Sequence, residues 1–449
     1  MRQGVARTLV AAALVTACGQ WQRVGVGAPS QAVPALSQIF DASAIYRSMG
    51  FVVGGAPLPF VASLHFFAGI SPDSTAGVFA MSLANHALSF RRADSGFVAV
   101  YHVELTLRAD SSVVFRKAGD ETVRVRSFQE TLRVDESIVF QQFFTVPPGI
   151  YGVSVVVRDR NGPAYSESQI RDTVRRFQAP ALAGPIPTYQ GAGRTRLEIL
   201  PDLVANPRAT LPYGAEPLRF YVEGYRLPPG TQLAARVVDL DSTVLWNGTM
   251  TLGGGPVASA VFVINPRDLP VGRAAFEVRA PGVADRVATP FLVTFSEQWA
   301  IANFEQMVDL LRYFERQDLV AKLKSATHDQ RAAAWREFYR ASDPVPITPE
   351  NEALDAYFRR VEIVTVRFQE PGIPGWKTER GEVYVALGEP DEIVDATSQA
   401  NGIRLIQWRY TNLRLTLVFQ DETGFGEFRL TPLSRSEFQR VVARVRRGQ

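Results

Sequence analysis

The strongest constraint on the fold is the period of the apolar pattern, which is close to two up to about residue 295 and close to 3.6 beyond it. In residues 98–107, apolar and polar residues alternate as they must in a strand with one buried face. The strand candidates in the first part of the chain are 60–67, 78–83, 97–107, 113–115, 122–128, 138–144 and 151–157. About seven strands in about 120 residues predict an immunoglobulin-like β-sandwich over 56–177.

A second β-rich region follows a connector that is rich in proline. Residues 178–187 contain Pro180, Pro185 and Pro187 and are predicted to mark a domain boundary. The strand candidates beyond it are 197–199, 218–223, 232–239, 258–264 and 274–279. They predict a second immunoglobulin-like β-sandwich over 188–295.

After residue 295 the apolar residues recur at helical spacing. One stripe consists of Ala300, Phe304, Met307, Leu311 and Phe314. Ser296 is the predicted N-cap of this stripe, and 296–342 is predicted as a helical linker segment. Thr348 and Pro349 have the residue types of a cap and a first helical position. The Ser434 and Glu437 spacing predicts a capping box that opens a C-terminal amphipathic helix over 433–449.

The least generic stretch of the chain is 375–393. Gly375 and Gly381 flank a polar loop that carries Trp376. The β-branched and aromatic content of 382–387 predicts a strand, which stops at a turn over 388–391. Further strand candidates are 403–410, 413–419 and 427–430. Together they predict a small, mainly antiparallel sheet packed on helices, which makes an α+β unit.

A resemblance to a known family rests on this stretch. Residues 375–379 read Gly-Trp-Lys-Thr-Glu, which resembles the Gly-Trp-x-Thr-Asp motif of the bacterial GWxTD domain family. The runs at 348–352 and 357–361 are also similar to that family. The resemblance covers about 327–432 and implies a GWxTD domain over 343–432. It implies no established activity for that domain. Glu379 stands where the motif has Asp, which weakens any role that needs one fixed carboxylate position.

The first residues have the pattern of an export leader. Arg2 and Arg7 precede a short apolar run over 8–15, too short to span a bilayer. Residues 15–18, Val-Thr-Ala-Cys, resemble the lipobox of bacterial lipoproteins, in which cleavage leaves the Cys as the lipidated first residue. Cys18 is the only cysteine of the chain, so it has no internal disulfide partner. We expect a signal peptide over 1–17, a lipid on Cys18 and a tether over 18–55. Gly19 favours the outer membrane, and an ordinary signal peptide with an incidental Cys is the alternative.

Charge and motif content argue against several classes of function. The 48 basic and 45 acidic residues leave a net charge of +3, which gives no basis for a nucleic acid partner. The histidines, His65, His86, His102 and His328, lack the spacing of a ligand motif, so neither a metal nor a cofactor is predicted. No Ser lies in a Gly-x-Ser-x-Gly elbow, and no catalytic residue is predicted.

The candidate binding residues are Trp376, Thr378, Glu379, Arg380 and Asp391. Trp376 either stacks on a ligand or partner or folds back over the small sheet. Thr378, Glu379 and Arg380 either form a polar site, or Thr378 binds the loop backbone while Glu379 pairs with Arg380.

These features predict a non-enzymatic envelope lipoprotein in which the two sandwiches project the C-terminal domain toward a protein partner. The first alternative is an envelope hydrolase or carbohydrate-active enzyme. It requires a close pair of carboxylates among Glu379, Asp391, Glu392 and Asp421. The second alternative is a small-ligand or glycan binder, which requires Trp376 and neighbouring rings to be exposed on one concave surface.

Overall fold

A computed structural model describes the chain in two compact units. One unit is Leu36–Phe358, and the other joins Met1–Ala35 to Arg359–Gln449. The described residues are 22–23, 42–133, 138–178, 180–213, 216–295, 299, 301, 303–348, 350–395 and 403–445. The predicted leader, Cys18, Ser296, Ala300 and Pro349 lie outside them. Among the described helices, none has both the length and the apolar character that crossing a bilayer requires.

A mostly β-sheet N-terminal region precedes a C-terminal region of helices and sheet. Strand β1, Gln22–Arg23, belongs to the second unit. The first sandwich is formed by β2 Val52–Gly54, β3 Phe60–Ala68, β4 Thr75–Leu83, β5 Arg91–Ala93, β6 Gly96–Ala109, β7 Ser112–Val125, β8 Ile138–Val146, β9 Gly149–Asp159 and β10 Tyr165–Val174. One sheet has the order β2-β3-β4-β8. The other has the order β10-β9-β6-β5, with β7 paired to β6. Side chains of both sheets, such as Phe79 and Val155, share one core.

The first sandwich differs from its prediction in two ways. The separate candidates 113–115 and 122–128 are one strand, β7, and Phe128 begins the short helix α2, Phe128–Thr131. Ser127 and Glu130 form a capping box there, which favours a helical turn over continued strand. Strands β5 and β10 were missed because charged and polar residues occupy most of their positions.

The predicted tether is too long. Helix α1, Ala42–Ser48, and β2 are both part of the folded unit. Tyr46 is 4% exposed and lies in the core of the second sandwich, where its hydroxyl hydrogen bonds to the Thr210 hydroxyl at 2.6 Å. The Gly- and Ala-rich composition of 18–55 hid these contacts.

The second sandwich also has two sheets over one core. Its strands are β11 Ala181–Ala192, β12 Asp202–Ala205, β13 Thr210–Pro212, β14 Leu218–Tyr225, β15 Gln232–Val238, β16 Val244–Thr251, β17 Val257–Ile264, β18 Gly272–Arg279 and β19 Val287–Thr294. The sheets have the orders β12-β11-β14-β17 and β13-β19-β18-β15-β16. Phe220 and Phe276, from opposite sheets, stack at 4.3 Å between ring centroids.

The proline-rich connector is in fact strand β11, which pairs with β12 and β14. Proline has no N–H to donate to a ladder. The pairing with β14 shifts register between Ala183 and Ile186, and Pro185 lies inside that interruption. The predicted strand at 197–199 is a turn. The carbonyl oxygens of Leu197 and Ile199 instead accept hydrogen bonds from Arg194, at 3.1 and 2.9 Å.

A buried ion pair lies where the two sandwiches meet. The Arg194 guanidinium and the Glu223 carboxylate bind through two contacts of 2.9 and 3.0 Å, and both side chains are almost inaccessible to solvent. Tyr221 and Tyr225 donate their hydroxyl protons to the same carboxylate at 2.5 and 2.6 Å. Arg194 also donates to the Ala68 carbonyl oxygen of the first sandwich at 2.9 Å. This network fixes the junction because every buried charge in it is paired.

Four helices follow the sandwiches: α3 Phe304–Leu310, α4 Gln317–Ser325, α5 Arg331–Ser342 and α6 Glu352–Arg367. Asn303 caps α3 by accepting the Gln306 N–H at 2.7 Å. Asn351 accepts the Leu354 N–H at 3.0 Å, so α6 begins later than predicted, and the Thr348 hydroxyl binds Glu352 instead of capping. Asn and Thr are both good caps, and the sequence did not distinguish them.

The C-terminal unit packs helices on a small sheet. Its further elements are α7 Glu379–Leu387, β20 Glu392–Asp395, β21 Arg404–Tyr410, β22 Leu415–Asp421, β23 Arg429–Leu430 and α8 Pro432–Val445. The sheet order is β1-β20-β21-β22-β23, and every pair is antiparallel. Helix α8 begins two residues before the predicted box, and the Ser434 hydroxyl accepts the Val418 N–H at 2.9 Å.

The predicted strand over 382–387 is wrong, because these residues belong to helix α7. The Thr378 side chain caps its first turn, Glu379 and Glu382 favour the positive end of the helix dipole, and Gly388 ends it with φ of 82°. The run from Val383 to Leu387 is apolar at every position, so its period does not separate strand from helix. The flanking caps decide between them.

Candidate functional site

The two glycines of the Gly-Trp stretch are fixed by close backbone packing. Residues Gly375–Lys377 form a 3-10 turn against α6. A Cβ atom on Gly375 would lie 1.8 Å from the Val364 carbonyl oxygen, and one on Gly381 would lie 1.9 Å from the Gly375 carbonyl oxygen. Only glycine allows backbones to approach so closely. The glycines therefore hold the turn, α6 and α7 together.

Trp376 is part of the packed interior. Trp376 is 6% exposed, and the Lys377 ammonium lies 4.9 Å from the centroid of its ring. The sequence allowed the ring either to stack on a ligand or to fold back. In the structure the ring is folded back into the unit.

Thr378 closes the turn onto the helix. Its hydroxyl donates to the Gly375 carbonyl oxygen at 2.8 Å and accepts the Gly381 N–H at 3.1 Å. The side chain is thus bound on both sides, and Thr378 is 2% exposed. This is the loop-backbone role that the sequence allowed.

Glu379 and Arg380 do not pair with each other in the described structure, because each binds a more distant residue. The Glu379 carboxylate accepts the Leu430 N–H at 2.5 Å and forms an ion pair with Arg435 of α8. The Arg380 guanidinium lies 3.3 Å from the carboxylate of Glu370. The first turn of α7 thereby joins β23, α8 and the segment before the Gly-Trp turn.

Glu370 is the buried centre of this arrangement. Its side chain is fully inaccessible and accepts the Phe428 N–H at 3.1 Å. Arg429 binds the second carboxylate oxygen at 2.9 Å, and Arg380 completes the set. A buried carboxylate needs such partners, because an unpaired one is strongly unfavourable.

Arg380 lies between two aromatic rings. Its guanidinium carbon is 4.3 Å from the Phe428 ring centroid and 5.5 Å from that of Phe368. Burial lowers the pKa of Arg380; Glu370 opposes that shift, and the nearby Arg404 adds to it. Arginine keeps its charge under all ordinary conditions, so Arg380 acts here as a fixed cation that orders Glu370 and Phe428.

Asp421 organises the turn between β22 and β23. Its fully buried carboxylate accepts N–H groups of Thr423, Gly424 and Gly426 at 3.2, 2.9 and 2.8 Å. Burial alone would raise the pKa of Asp421, but these hydrogen bonds outweigh it, and the pKa lies below its ordinary value. Phe425, at the tip of the same turn, is 78% exposed.

The acidic residues of 389–392 do not converge on one place. Asp391 accepts the Thr411 N–H at 2.6 Å and so fixes the turn after β21. Glu389 pairs with Arg367 at 3.0 Å, and Glu392 pairs with Arg409 at 2.9 Å. Each of these carboxylates therefore binds a different partner.

The structure therefore brings together Thr378, Glu379 and Arg380 but not Asp391. The residues that sequence reasoning missed are Glu370, Phe428, Arg429 and Arg435. Glu370 precedes Pro371 and Gly372, where an acidic residue is ordinary turn chemistry. No local signal marked it, because its partners are up to 59 residues away.

Comparison with solved structures gives only distant likenesses. Red sea bream transglutaminase is 12% identical, with 52% of this chain and 31% of that chain covered and a TM-score of 0.17. A biofilm-associated protein BSP domain is 9% identical, with 54% and 52% covered and a TM-score of 0.17. Dimeric latent PorU from Porphyromonas gingivalis is 11% identical, with 56% and 21% covered and a TM-score of 0.22. The chain spans less than two thirds of each, and scores this low support no inference.

No curated protein matches the chain. The family model of the GWxTD domain matches residues 283–438. The match begins well before the predicted start near residue 327 and includes α3 through α7, the strands β20 to β23 and the first half of α8. The Gly-Trp turn and the Glu370 cluster both lie inside it. Residues 283–438 of this chain are therefore a GWxTD domain.

Proposed function

We propose that this chain is a non-enzymatic lipoprotein of the bacterial cell envelope that binds a protein partner within an envelope assembly. In this proposal a lipid on Cys18 anchors it, with the outer membrane as its site, and both sandwiches are of immunoglobulin-like type. Sandwiches of that type are frequent in cell-surface proteins.

The charged residues beside the Gly-Trp turn support a binding role, because they serve the unit's own structure. Glu370, Glu379 and Asp421 each accept backbone N–H groups, and the first two also pair with arginines. A general acid or base must exchange its proton with a substrate. Glu379 instead joins α7 to β23 and α8, and Glu370 joins Arg380 of α7 to Arg429 of β23. Asp421 holds the turn between β22 and β23.

The observation that carries the proposal is the exposed ring of Phe425 on a well-ordered turn. Asp421 holds the turn through three backbone N–H groups, and the Thr423 hydroxyl accepts the Phe425 N–H at 3.3 Å. An aromatic side chain that projects from a fixed backbone loses little entropy on binding, which favours it as an interface anchor. A protein pocket lined by apolar residues is the partner surface that fits it.

The anchoring is tested by Cys18→Ala. We expect this variant to leave the membrane fraction, since each buried CH₂ of an acyl chain contributes about 0.8 kcal/mol to membrane binding. Cell fractionation and mass spectrometry of the N-terminus measure the result, with Gly19→Ala as the control that keeps the thiol. An uncleaved leader on the wild-type protein, or a variant that stays membrane-bound, would refute the lipid anchor.

The binding is tested by Phe425→Ala in affinity capture from crosslinked envelopes. We expect the wild type to enrich a protein partner and the variant to lose at least about tenfold of it, as for an interface hot spot. Leu433→Ala is the matched control, since Leu433 is 71% exposed in the same domain. Equal capture by Phe425→Ala and wild type would contradict the proposed surface. Conversion of an envelope glycan by the purified protein would favour the hydrolase alternative.

A further inference from the structure

We propose that Asp239, Asp241 and His328 form a binding site for a divalent metal ion of the zinc class. One ligand atom of each residue lies within 4.8 Å of the ligand atoms of the other two. His328 is 87 residues from Asp241 in the chain, so the cluster is created by the fold and has no motif in the sequence. It lies within the Leu36–Phe358 unit, whereas the Gly-Trp turn belongs to the other unit.

Asp239 is held in a fixed orientation by its own turn. It follows β15 directly, and its Oδ1 atom accepts the N–H groups of Asp241 and Thr243 at 3.0 and 2.8 Å. The backbone of the turn closes through the Asp239 N–H and the Thr243 carbonyl oxygen at 3.1 Å. Its Oδ2 atom is therefore left to face His328. A ligand held by backbone hydrogen bonds is preorganised for an ion.

His328 reaches this turn from the helical region. It starts a 3-10 turn that leads into α5, and its Nδ1 atom lies 3.5 Å from Asp239 Oδ2. This nitrogen is inaccessible to solvent, and no described group forms a hydrogen bond with it. The histidine side chain as a whole is 43% exposed. A buried ring nitrogen that faces a carboxylate without a hydrogen bond is suited to donate its lone pair to an ion between them.

The donor set indicates the class of ion. One imidazole nitrogen with two carboxylate oxygens is typical of zinc and related first-row metals, whereas calcium and magnesium prefer oxygen ligands alone. Donors on one tetrahedral zinc ion lie roughly 3.4 Å apart, given bond lengths of about 2.1 Å. The Asp239 and His328 atoms already lie 3.5 Å apart. Rotation of the exposed Asp241 side chain must close up to about 1.4 Å, because the three atoms lie within 4.8 Å of one another. A water molecule then completes four ligands.

The cleft beside the cluster carries charges of both signs. Asp239 and Asp241 border a cleft of about 220 Å³ that Glu305, Arg273 and Arg331 also line. The positive charge of Arg331 is paired with Glu305, and Arg273 donates to the Ser48 hydroxyl at 2.6 Å. An ion at this place connects the β15–β16 turn to the start of α5. It would stabilise the helical region on the second sandwich.

The test is titration of the full-length, chelator-treated protein with ZnCl₂ by isothermal calorimetry near pH 7. We expect one ion per chain, and Asp241→Asn and His328→Gln are each expected to weaken binding at least about tenfold. His102→Gln is the control. His102 also contacts a carboxylate, Asp120, but the Arg160 guanidinium lies 3.0 Å from its Nδ1 atom and opposes a cation. This variant should bind zinc as the wild type does.

Two further measurements separate a metal site from a plain ion pair. Zinc should raise the melting temperature of the wild type but not of the Asp241→Asn and His328→Gln double variant, whose metal-free circular dichroism should be unchanged. Co²⁺ can be bound in place of zinc, and its visible spectrum reports on its ligands. The spectrum should differ between the wild type and His328→Gln, because the variant lacks the nitrogen ligand. The proposal is overturned if the wild type binds no zinc, or if the double variant binds it equally well.

Discussion

Replacing Gly375 by Ala is expected to destabilise the C-terminal unit by about 3 kcal/mol or more, at the upper end of what overpacking costs. The new Cβ would lie 1.8 Å from the Val364 carbonyl oxygen. That neighbour is helix backbone and cannot rotate away, so the Gly-Trp turn must separate from α6. Urea unfolding, with hydrogen exchange of the α6 and α7 amides, measures the loss.

A matched glycine without such a contact provides the control. A Cβ on Gly119 in β7 would have no atom within 4 Å, and Gly119→Ala should change stability by less than about 1 kcal/mol. If Gly375→Ala unfolds at the same urea concentration as the wild type, the close packing of the turn against α6 is wrong. Gly381→Ala, with a distance of 1.9 Å to the Gly375 carbonyl oxygen, should behave like Gly375→Ala.

Glu223→Gln is expected to cost about 3–5 kcal/mol, because it leaves the buried Arg194 charge without its partner. The amide also offers only one acceptor oxygen where Tyr221, Tyr225 and Arg194 now share two. Thermal and urea unfolding of the Leu36–Phe358 unit, followed in the full-length protein, measure this loss.

Two variants make the interpretation specific. Glu337→Gln removes one partner of the exposed Lys322 pair and should cost no more than about 1 kcal/mol. Replacing both Arg194 and Glu223 by Met should cost less than the sum of the two single replacements by Met, because neither charge is then left without its partner. A Glu223→Gln cost as small as that of Glu337→Gln would show that Arg194 reaches water and is not sealed in the junction.

Local pattern predicted many of the sandwich strands, but it missed others that have a buried face, such as β12 and β19. The alternation in 97–107 placed β6, Gly96–Ala109, nearly to its ends. The same reasoning failed at β11, because its prolines indicated a connector. Pairing with β14 forms the strand in spite of the low strand preference of proline. It failed again at α7, where an apolar run without a clear period was decided by Thr378 and Gly388.

The sequence predicted which residues of the site are neighbours in the chain, but not their distant partners. The sequence identified Thr378, Glu379 and Arg380 as neighbours on one element, and it allowed Thr378 a role in binding the loop backbone. The alternative in which Glu379 pairs with Arg380 is wrong, because the fold brings Leu430 and Glu370 to α7 and these residues bind Glu379 and Arg380 instead. Ordinary turn and surface residues in the sequence, such as Glu370, become buried partners only in the folded unit.

The pairing of β1 with β20 has a consequence for the proposed lipid anchor. Gln22 and Arg23 lie opposite Asp395 and Val394 at the edge of the C-terminal sheet. Four residue steps from Cys18 to Gln22 span at most about 14 Å. An acyl chain on Cys18 would thus keep the edge of that sheet at the level of the lipid headgroups. The Gly-Trp unit would then lie near the bilayer surface and meet partners that lie on it.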